Sequence, residues 1–330
     1  QVPQWYPISI SGYHIREAGS NAIQELAFTF ANAIEYIKTC TDRGLKVDEF
    51  APRLSFFFCC TMEFFEEIAK FRAARLIYAN ILKEKFNAKD PKSMHLRFHV
   101  QTSGESLTAQ QVDNNVVRVT TEALAAVLGG CQSLHTNSRD EALALPTEES
   151  VKIALRTQQI IANETGVTKT VDPLAGSYYL EYLTQEIIEG VKLYLDKIEK
   201  MGGALNAIES NFFQEEIRKN AYELKKEIDE NKRVIVGVNK FKDTKDVEPN
   251  LNLIDHQLES KQINKLKDFK QKRDNIKVQN SLSKLIQAAE DTNTNLMPFI
   301  IDCVKNKVTL GEISNSFREI FGSYSPKISF

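Results

Sequence analysis

The sequence lacks the features that would place it at once in several large classes of protein. Its 330 residues contain no apolar run long enough to span a bilayer and no charged-then-apolar signal before the first predicted strand. The formal net charge of −2 argues against a general role in binding nucleic acid or a membrane surface. The five cysteines are scattered without metal-site spacing, so we expect reduced thiols, no metal ligands and a cytoplasmic protein.

Short catalytic motifs are missing as well. The sequence has no Walker loop, no Gly-x-Gly-x-x-Gly after a strand, no His-Glu-x-x-His and no Gly-x-Ser-x-Gly. Few obvious acid–base groups stand where the predicted strands end. This pattern favours a protein in which a cofactor performs the difficult chemical step.

What the sequence does contain is a regular alternation of strand-like and helical patterns. Because strand starts lie roughly forty residues apart, each strand can be followed by one helix, which predicts an α/β fold with a parallel sheet covered by helices. The strand-like runs are residues 8–11, 53–58, 95–100 and 132–135, and the helical patterns after them are residues 22–40, 62–86, 107–128 and 148–163.

Four such units would make half of an eight-unit TIM-type (β/α) barrel, and the alternative is an open doubly wound sheet. We favour the barrel because functional-looking residues lie at the end of every predicted strand and are not confined to the strands at a single crossover. A half barrel leaves two sheet edges unpaired, so a partner segment completes it or the chain is part of a longer polypeptide. We therefore predict that residues 1–241 form the barrel half with trailing helices. Residues 242–330 are predicted to form a linker and a helical tail.

Two local signals refine the second half of the chain. Residues 234–238 (VIVGV) predict a short strand. Thr309, with Glu312 three residues later, is a capping signal for a final helix over residues 309–321.

Polar side chains gather at the ends of the predicted strands. Alternation along a strand puts residues two apart on one face, and it brings three of the five histidines to the same end of the sheet. For any one histidine a structural role is as good an explanation, but three together favour a site. The run Phe56-Phe57-Phe58 is expected to pack in the core. The strand-end residues are His14, Arg53, Ser55, His99, Gln101, Ser133, His135 and Asn137.

Seven stretches of the sequence resemble the adenosylcobalamin-dependent acyl-CoA mutases, most closely the large catalytic chain of the methylmalonyl-CoA mutase family. The resemblance is dense up to residue 241 and thinner in the tail. The matching stretches are SISGYHIREAG (residues 9–19), FAPRLSFFF (50–58), EEIAKFRAAR (66–75), LRFHVQTSGESLTAQQ (96–111), QSLHTNSRDEALALPTEE (132–149), VDPLAGSYYLE (171–181) and VGVNKF (236–241).

The resemblance implies a radical carbon-skeleton rearrangement of an acyl-CoA ester. It implies the last four β/α units of the barrel, adenosylcobalamin as cofactor, and interconversion of (R)-methylmalonyl-CoA and succinyl-CoA. Isobutyryl-CoA, 2-hydroxyisobutyryl-CoA or another acyl-CoA remain alternative substrates. A non-catalytic subunit that keeps the barrel fold is the alternative from a different class.

The resemblance also implies roles for residues at the substrate. His14 matches the histidine that hydrogen-bonds the thioester carbonyl oxygen. Arg53 and Ser55 match the Arg-Leu-Ser segment that contacts the phosphates of coenzyme A, a task suited to the forked guanidinium. His99 matches the rim that faces the substrate.

Further roles concern the cofactor. Glu17 and Glu141 resemble the carboxylates near the adenosyl ribose. Gln101 and Asn137 match the rim that faces substrate and corrin.

Three departures limit these expectations. Glu105 stands where many single-chain methylmalonyl members have Trp, and Gln4 stands where a basic residue is expected. No Asp-x-His-x-x-Gly cobalamin signature occurs, so the cobalt ligand is not expected in this chain. The implied partners are a cobalamin-binding subunit or domain and the missing amino-terminal half of the barrel. We expect that the chain by itself shows no turnover.

Overall fold

The computed structural model describes residues 5–244, 251–252 and 255–325. The chain divides into two compact units, Gln1–Leu253 and Ile254–Phe330. The boundary predicted after residue 241 falls within the first of these two units. Residues 245–250 of the predicted linker lie outside the described residues, and so does Gln4.

The first unit is built on a four-stranded sheet. Its strands are β1 (Ser9–Ser11), β2 (Ser55–Cys60), β3 (Phe98–Thr102) and β4 (Ser133–His135). All three pairings are parallel, and the strands lie side by side in chain order. The predicted α/β fold with a parallel sheet is therefore confirmed. The second strand begins later than predicted because a 3₁₀ turn occupies Ala51–Arg53. The third also begins later, at Phe98, and three residues separate it from a 3₁₀ turn at Pro91–Met94.

The described part of the first unit contains nine helices. They are α1 (Tyr13–Glu17), α2 (Ala22–Asp42), α3 (Val47–Phe50), α4 (Phe64–Asn80), α5 (Asn114–Leu128), α6 (Glu148–Glu164), α7 (Tyr178–Lys200), α8 (Ala204–Glu209) and α9 (Phe212–Asp229). A π-helical turn, Ile81–Lys85, extends α4. Helix α5 begins later than predicted because the Asn115 side chain bonds the backbone N–H and C=O of Thr108, at 3.1 and 2.8 Å, and keeps that segment as a loop.

The two faces of the sheet differ in character because side chains alternate along each strand. One face is apolar and packs against α2, α4, α5 and α7 in the main core. It carries Ile10, Phe56, Phe58, Phe98 and Val100, all at most 3% exposed. The opposite face, called the polar face below, carries Ser9, Ser11, Ser55, Phe57, Cys59, His99, Gln101, Ser133 and His135, all of which except Cys59 are half-buried or exposed.

A buried cluster of charged side chains connects the sheet to three helices. Lys70 of α4 donates from Nζ to Glu25 Oε2 at 2.6 Å and to the backbone oxygen of Cys59 at 2.8 Å, and it also pairs with Glu67. Arg16 of α1 lies 3.4 Å from Glu67 Oε1. Two cations therefore balance two carboxylates, which is the condition under which buried charges are tolerated.

The strand predicted over residues 234–238 is wrong. Only an isolated bridge forms there, between Val236 and Lys240. Gly237 has a positive φ of 82°, and the Asn239 side chain accepts from the Ile235 backbone N–H at 2.7 Å. These two features turn the chain back on itself before a strand can extend.

The second unit is helical, as predicted for the tail. Its helices are α10 (His256–Lys272), α11 (Asn275–Ala289), α12 (Met297–Lys305) and α13 (Leu310–Phe321). The capping box predicted from Thr309 and Glu312 is present. Glu312 also accepts two bonds from the Arg273 guanidinium, at 2.6 and 2.7 Å, and this contact holds its pKa well below the usual range.

Two general findings apply to both units. Within the described residues, no helix combines the length and the apolar character that crossing a membrane would require. The five cysteines are all free thiols.

We predict that Lys70→Met lowers the free energy of unfolding by about 3–5 kcal/mol, since it leaves the buried carboxylates of Glu25 and Glu67 without their shared cation. Urea denaturation of the full chain measures the change. The control is Lys85→Met, which removes an exposed pair with Glu199 and should change the same free energy by about 1 kcal/mol or less. Equal losses in the two variants would contradict the importance of the buried cluster.

Candidate active site

The predicted site residues are spread over the polar face and its two ends. The strand register puts Ser11, Phe57, His99 and Ser133 in one row across the four strands. The next row toward the carboxyl ends contains Cys59, Gln101 and His135. The amino-end row contains Ser9 and Ser55.

His14 lies in the first turn of α1, directly after β1. The sharp exit from the strand requires Gly12, because a Cβ at that position would lie 2.5 Å from Thr29 Oγ1. The imidazole Nδ1 is 3.0 Å from Ser11 Oγ, and the ring is exposed. Its Nε2 makes no hydrogen bond to the described residues. The ring is therefore oriented by one nitrogen and available through the other.

An aromatic group occupies the centre of the polar face. The Tyr13 ring stacks on Phe57 with centroids 4.8 Å apart and planes 4° apart, and His99 lies 5.2 Å from Phe57 on another side. Phe57 therefore corrects the expectation that the whole phenylalanine run packs in the core. Phe56 and Phe58 do so, at 1% and 0% exposure.

His99 is fixed in the same row. Its Nδ1 is 2.7 Å from the hydroxyl oxygen of Ser133. Partial burial lowers the pKa of His99, and the neighbouring His135 lowers it further. The His99 imidazole is therefore neutral near neutral pH, when it can offer one donor and one acceptor.

Glu17 is held by three donors at the carboxyl end of the sheet. Ser103 Oγ donates to Glu17 Oε1 at 2.6 Å, the Glu105 backbone N–H donates to Oε2 at 3.0 Å, and the Cys59 thiol lies 3.4 Å from Oε1. A Cβ on Gly104 would lie 3.2 Å from Oε2, so the loop backbone approaches the carboxylate closely. The carboxylate orientation is thus set by the loop that follows β3.

Gln101 and Asn137 form a pair next to Glu17. Gln101 donates from Nε2 to Asn137 Oδ1 at 2.8 Å. Asn137 donates from Nδ2 to the Thr102 backbone oxygen at 3.0 Å and is 1% exposed. Burial, with the Glu17 charge adding to it, raises the pKa of the nearby Tyr13 phenol, so Tyr13 stays neutral.

Arg53 and Ser55 lie at the opposite end of the polar face from this group. Arg53 is the last residue of the 3₁₀ turn before β2. It donates to the Tyr6 hydroxyl at 3.3 Å and places its guanidinium 5.5 Å from the Tyr6 ring centre. The Ser55 hydroxyl donates to the Ile8 backbone oxygen at 2.8 Å. Neither residue contacts His14.

Glu141 lies in the loop after β4 and is exposed. Its carboxylate makes no hydrogen bond within the described part of the chain. Partial burial raises its pKa, and the proximity of His135 opposes that effect. Glu141 is therefore near the carboxyl end of the sheet, where the Glu17 charge also acts to raise its pKa.

The structure thus brings together three of the predicted residues, Glu17, Gln101 and Asn137, and places His14 and His99 on two sides of Phe57. It also adds Tyr13, Phe57, Ser103 and Gly104, which the sequence reasoning did not select. The position of Phe57 on the polar face could have been predicted, since Phe57 lies two residues after Ser55 along the strand. The close approach of Gly104 depends on tertiary packing and left no local signal.

Comparison with known proteins identifies the family. The family model described as methylmalonyl-CoA mutase matches residues 1–323 of the chain. The chain belongs to the methylmalonyl-CoA mutase family. The resemblance seen in the sequence is therefore confirmed.

Similar proteins include enzymes with two different substrates in their names. The chain is 48% identical over 324 residues to the 2-hydroxyisobutanoyl-CoA mutase large subunit of Aquincola tertiaricarbonis, covering 98% of this chain and 58% of that protein. It is 46% identical to methylmalonyl-CoA mutase of Escherichia coli K12 and 43% identical to the human mitochondrial enzyme, each over 98% of this chain, and covers 45% and 43% of those proteins. The chain spans about half the length of these relatives.

The residues of this chain fit part of the cofactor expected in the family. A ribose needs hydrogen-bond acceptors for its hydroxyls, and Glu17 presents a carboxylate oxygen beside a glycine, Gly104, where a Cβ would lie 3.2 Å from that oxygen. Glu17 Oε2 receives one donor, the Glu105 N–H, and keeps a further lone pair. Among the described residues, no cluster of three or more His, Cys, Asp or Glu side chains is placed to bind a metal ion.

We predict that His99 titrates below the ordinary histidine value of about 6.5 and that His135→Asn raises the pKa of His99. The reason is that the substitution removes a neighbouring positive charge while the burial of His99 stays the same. Histidine-resolved NMR titration of the full chain measures both values. His95→Asn, an exposed control at the amino end of β3, should leave His99 unchanged, and an equal shift in the two variants would refute the assignment.

Proposed function

We propose that the chain is part of an adenosylcobalamin-dependent acyl-CoA mutase that interconverts (R)-methylmalonyl-CoA and succinyl-CoA. The observation that carries this proposal is the polar face of the sheet. Arg53 and Ser55 lie at its amino end, the Glu17 group lies at its carboxyl end, and His14 lies between them.

The sheet supports the proposal that these are the last four units of a TIM-type (β/α) barrel. Its strands follow chain order, its apolar face is covered by helices, and its polar face is open. Parallel sheets are covered on both faces, and a closed barrel meets that requirement by turning one face inward. The proposed partners are the amino-terminal half of the barrel and a cobalamin-binding subunit or domain. In this proposal, residues 1–241 belong to the barrel half and residues 242–330 form its linker and helical appendage.

The length of the polar face suits a long, thin substrate. Strand β2 runs from Ser55 to Cys60, roughly 17 Å at the rise of a parallel strand. A coenzyme A ester has phosphates at one end and a thioester at the other. The Arg53 guanidinium suits the phosphates because its fork can pair with two oxygens. The thioester would then reach the neighbourhood of His14 and His99.

His14 would act on the thioester carbonyl oxygen. When the Ser11 hydroxyl donates to Nδ1, the ring proton is on Nε2, which is the nitrogen left free for substrate. A donor held there stabilises negative charge that develops on the oxygen during the rearrangement, without full transfer of the proton. His99, neutral and fixed by Ser133, would line the same part of the face.

Adenosylcobalamin, when bound, would supply the radical chemistry that starts the rearrangement. Glu17 and Glu141 would accept hydrogen bonds from the adenosyl ribose. Gln101 and Asn137 would keep the rim between substrate and cofactor in place through their mutual hydrogen bond. The ligand of cobalt is proposed to belong to the separate cobalamin-binding subunit or domain.

A second candidate substrate is 2-hydroxyisobutyryl-CoA. It is favoured by the 48% identity to a mutase large subunit of that name and by Glu105, whose carboxyl lies where many methylmalonyl members have Trp. Burial, with the Glu17 charge adding to it, raises the pKa of Glu105. The Glu105 carboxyl at this position could form a hydrogen bond with a substrate hydroxyl.

The deciding assay uses the complete assembled enzyme with (R)-methylmalonyl-CoA, isobutyryl-CoA and 2-hydroxyisobutyryl-CoA in parallel. We expect the highest kcat/KM with (R)-methylmalonyl-CoA. A higher value with 2-hydroxyisobutyryl-CoA would establish the second candidate. No turnover of any acyl-CoA would leave the non-catalytic scaffold as the remaining explanation.

We predict that His14→Ala in the complete enzyme lowers kcat by about a hundredfold or more, the scale of one lost stabilising donor. The expected reason is loss of the hydrogen bond to the carbonyl oxygen. Steady-state kinetics measure the effect, with His95→Ala, an exposed histidine between the 3₁₀ turn and β3, as the matched control. An unchanged kcat in His14→Ala would remove His14 from the mechanism.

A further inference from the structure

The loop after β3 lies between two carboxyl groups. On one side, Ser103 and the Glu105 backbone N–H hold Glu17, as described above. On the other side, Glu122 of α5 faces the Ser106 hydroxyl and the Ser103 backbone. A single short segment of backbone, residues 103–106, therefore separates Glu17 from Glu122.

Glu122 is an unusual residue for a protein interior. Its side chain is 0% exposed, and neither carboxyl oxygen has a hydrogen bond of ordinary geometry within the described residues. Its own backbone oxygen accepts from the Cys60 thiol at 3.1 Å, which places it directly behind β2. A buried polar group without a partner is costly, so its retention calls for an explanation.

The groups that face Glu122 do not neutralise a negative charge there. Glu67 of α4, Glu17 of α1 and Cys60 of β2 are anionic or neutral neighbours. On its own helix, Arg118 is the nearby cation, but its guanidinium donates to Thr108, Asn115 and the Val236 backbone oxygen. An ionised Glu122 would therefore be an uncompensated buried charge.

Burial raises the pKa of Glu122 well above its usual range, with Glu67 and Glu17 adding to the effect. Burial therefore favours the uncharged acid in the folded chain. For an acid whose folded pKa is raised, the stabilising contribution is present at low pH and is lost as pH rises through the folded pKa. A protonated carboxyl can also donate a hydrogen bond, which a carboxylate cannot.

We propose that Glu122 is a positioning residue: as an uncharged carboxylic acid it supports residues 103–106 from behind and so fixes the carboxylate of Glu17. This inference rests on the proposed function, in which Glu17 contacts the adenosyl ribose. The loop has little freedom on the site side, because Gly104 lies against both Glu17 and Asn137. A shift of the loop from behind would move the Ser103 hydroxyl and the Glu105 amide together.

The test compares Glu122→Gln and Glu122→Leu with the wild type. Glu122→Gln keeps a neutral polar group of the same shape, whereas Glu122→Leu leaves no polar group to face Ser106 and Ser103. The first measurement is hydrogen exchange of the Glu105 backbone amide in the full chain. We expect about a tenfold faster exchange in Glu122→Leu, the scale of one lost hydrogen bond. We expect no change in Glu122→Gln at neutral pH.

The second measurement uses the complete enzyme. Glu122→Leu should weaken adenosylcobalamin binding about tenfold while leaving the KM for the acyl-CoA unchanged, a split that general loss of structure would not produce.

A third measurement is hydrogen exchange in alkaline solution. The Glu105 amide of the wild type should lose its protection against exchange there, whereas the same amide in Glu122→Gln should keep it. The matched control is Val119→Ala, a truncation at a residue of the same helix that is 2% exposed.

The outcomes separate the inference from the proposed function. If Glu122→Leu and Val119→Ala change Glu105 exchange and cofactor binding equally, the positioning role is overturned. Alkaline loss of protection that persists in Glu122→Gln would overturn it as well. If the complete wild-type enzyme does not bind adenosylcobalamin, the proposed function fails, while the exchange measurement still decides whether Glu122 controls the loop.

Discussion

The interaction on which the rest of the structure depends is the buried ammonium of Lys70 between the carboxylates of Glu25 and Glu67. It joins α2 and α4 to the backbone of β2, and Arg16 extends the same cluster into α1. In the short helix α1, Arg16 points into the protein while its neighbours His14 and Glu17 serve the polar face. The position of α1, the helix that carries His14 and Glu17, is therefore set by an ion cluster in the protein interior.

The sheet packs the core with one face and presents polar groups on the other. Along β2 the apolar side chains Phe56 and Phe58 fill the core, while Ser55, Phe57 and Cys59 alternate with them on the other side. The core needs only half of the positions in each strand, so the other half is free to carry polar groups. The residues of the polar face can then change without loss of the helix-covered core.

Much of the fold could be predicted because the strands and helices appear as local periodic patterns of apolar residues. The strand–helix alternation gave the parallel sheet, and Thr309 with Glu312 gave the final helix. The strand predicted over residues 234–238 failed because apolar content there competes with a Gly237 turn and the side chain of Asn239. Candidate site residues that alternate along a strand, such as Gln101, could be predicted from the sequence. Glu122 was not, since its burial behind β2 and residues 103–106 results from tertiary packing that leaves no periodic pattern in the sequence.

The outer strands of the sheet, β1 and β4, are three residues each, whereas the central β2 has six. A short edge presents few free amide and carbonyl groups, which protects it from pairing with stray extended chains. The short edge strands also limit the number of backbone hydrogen bonds, and so the affinity, that a partner segment can gain by adding a strand there. A polypeptide that completes this sheet must therefore draw most of its adhesion from side-chain packing across helices. Recognition between the pieces would then depend on surface shape more than on backbone hydrogen bonding.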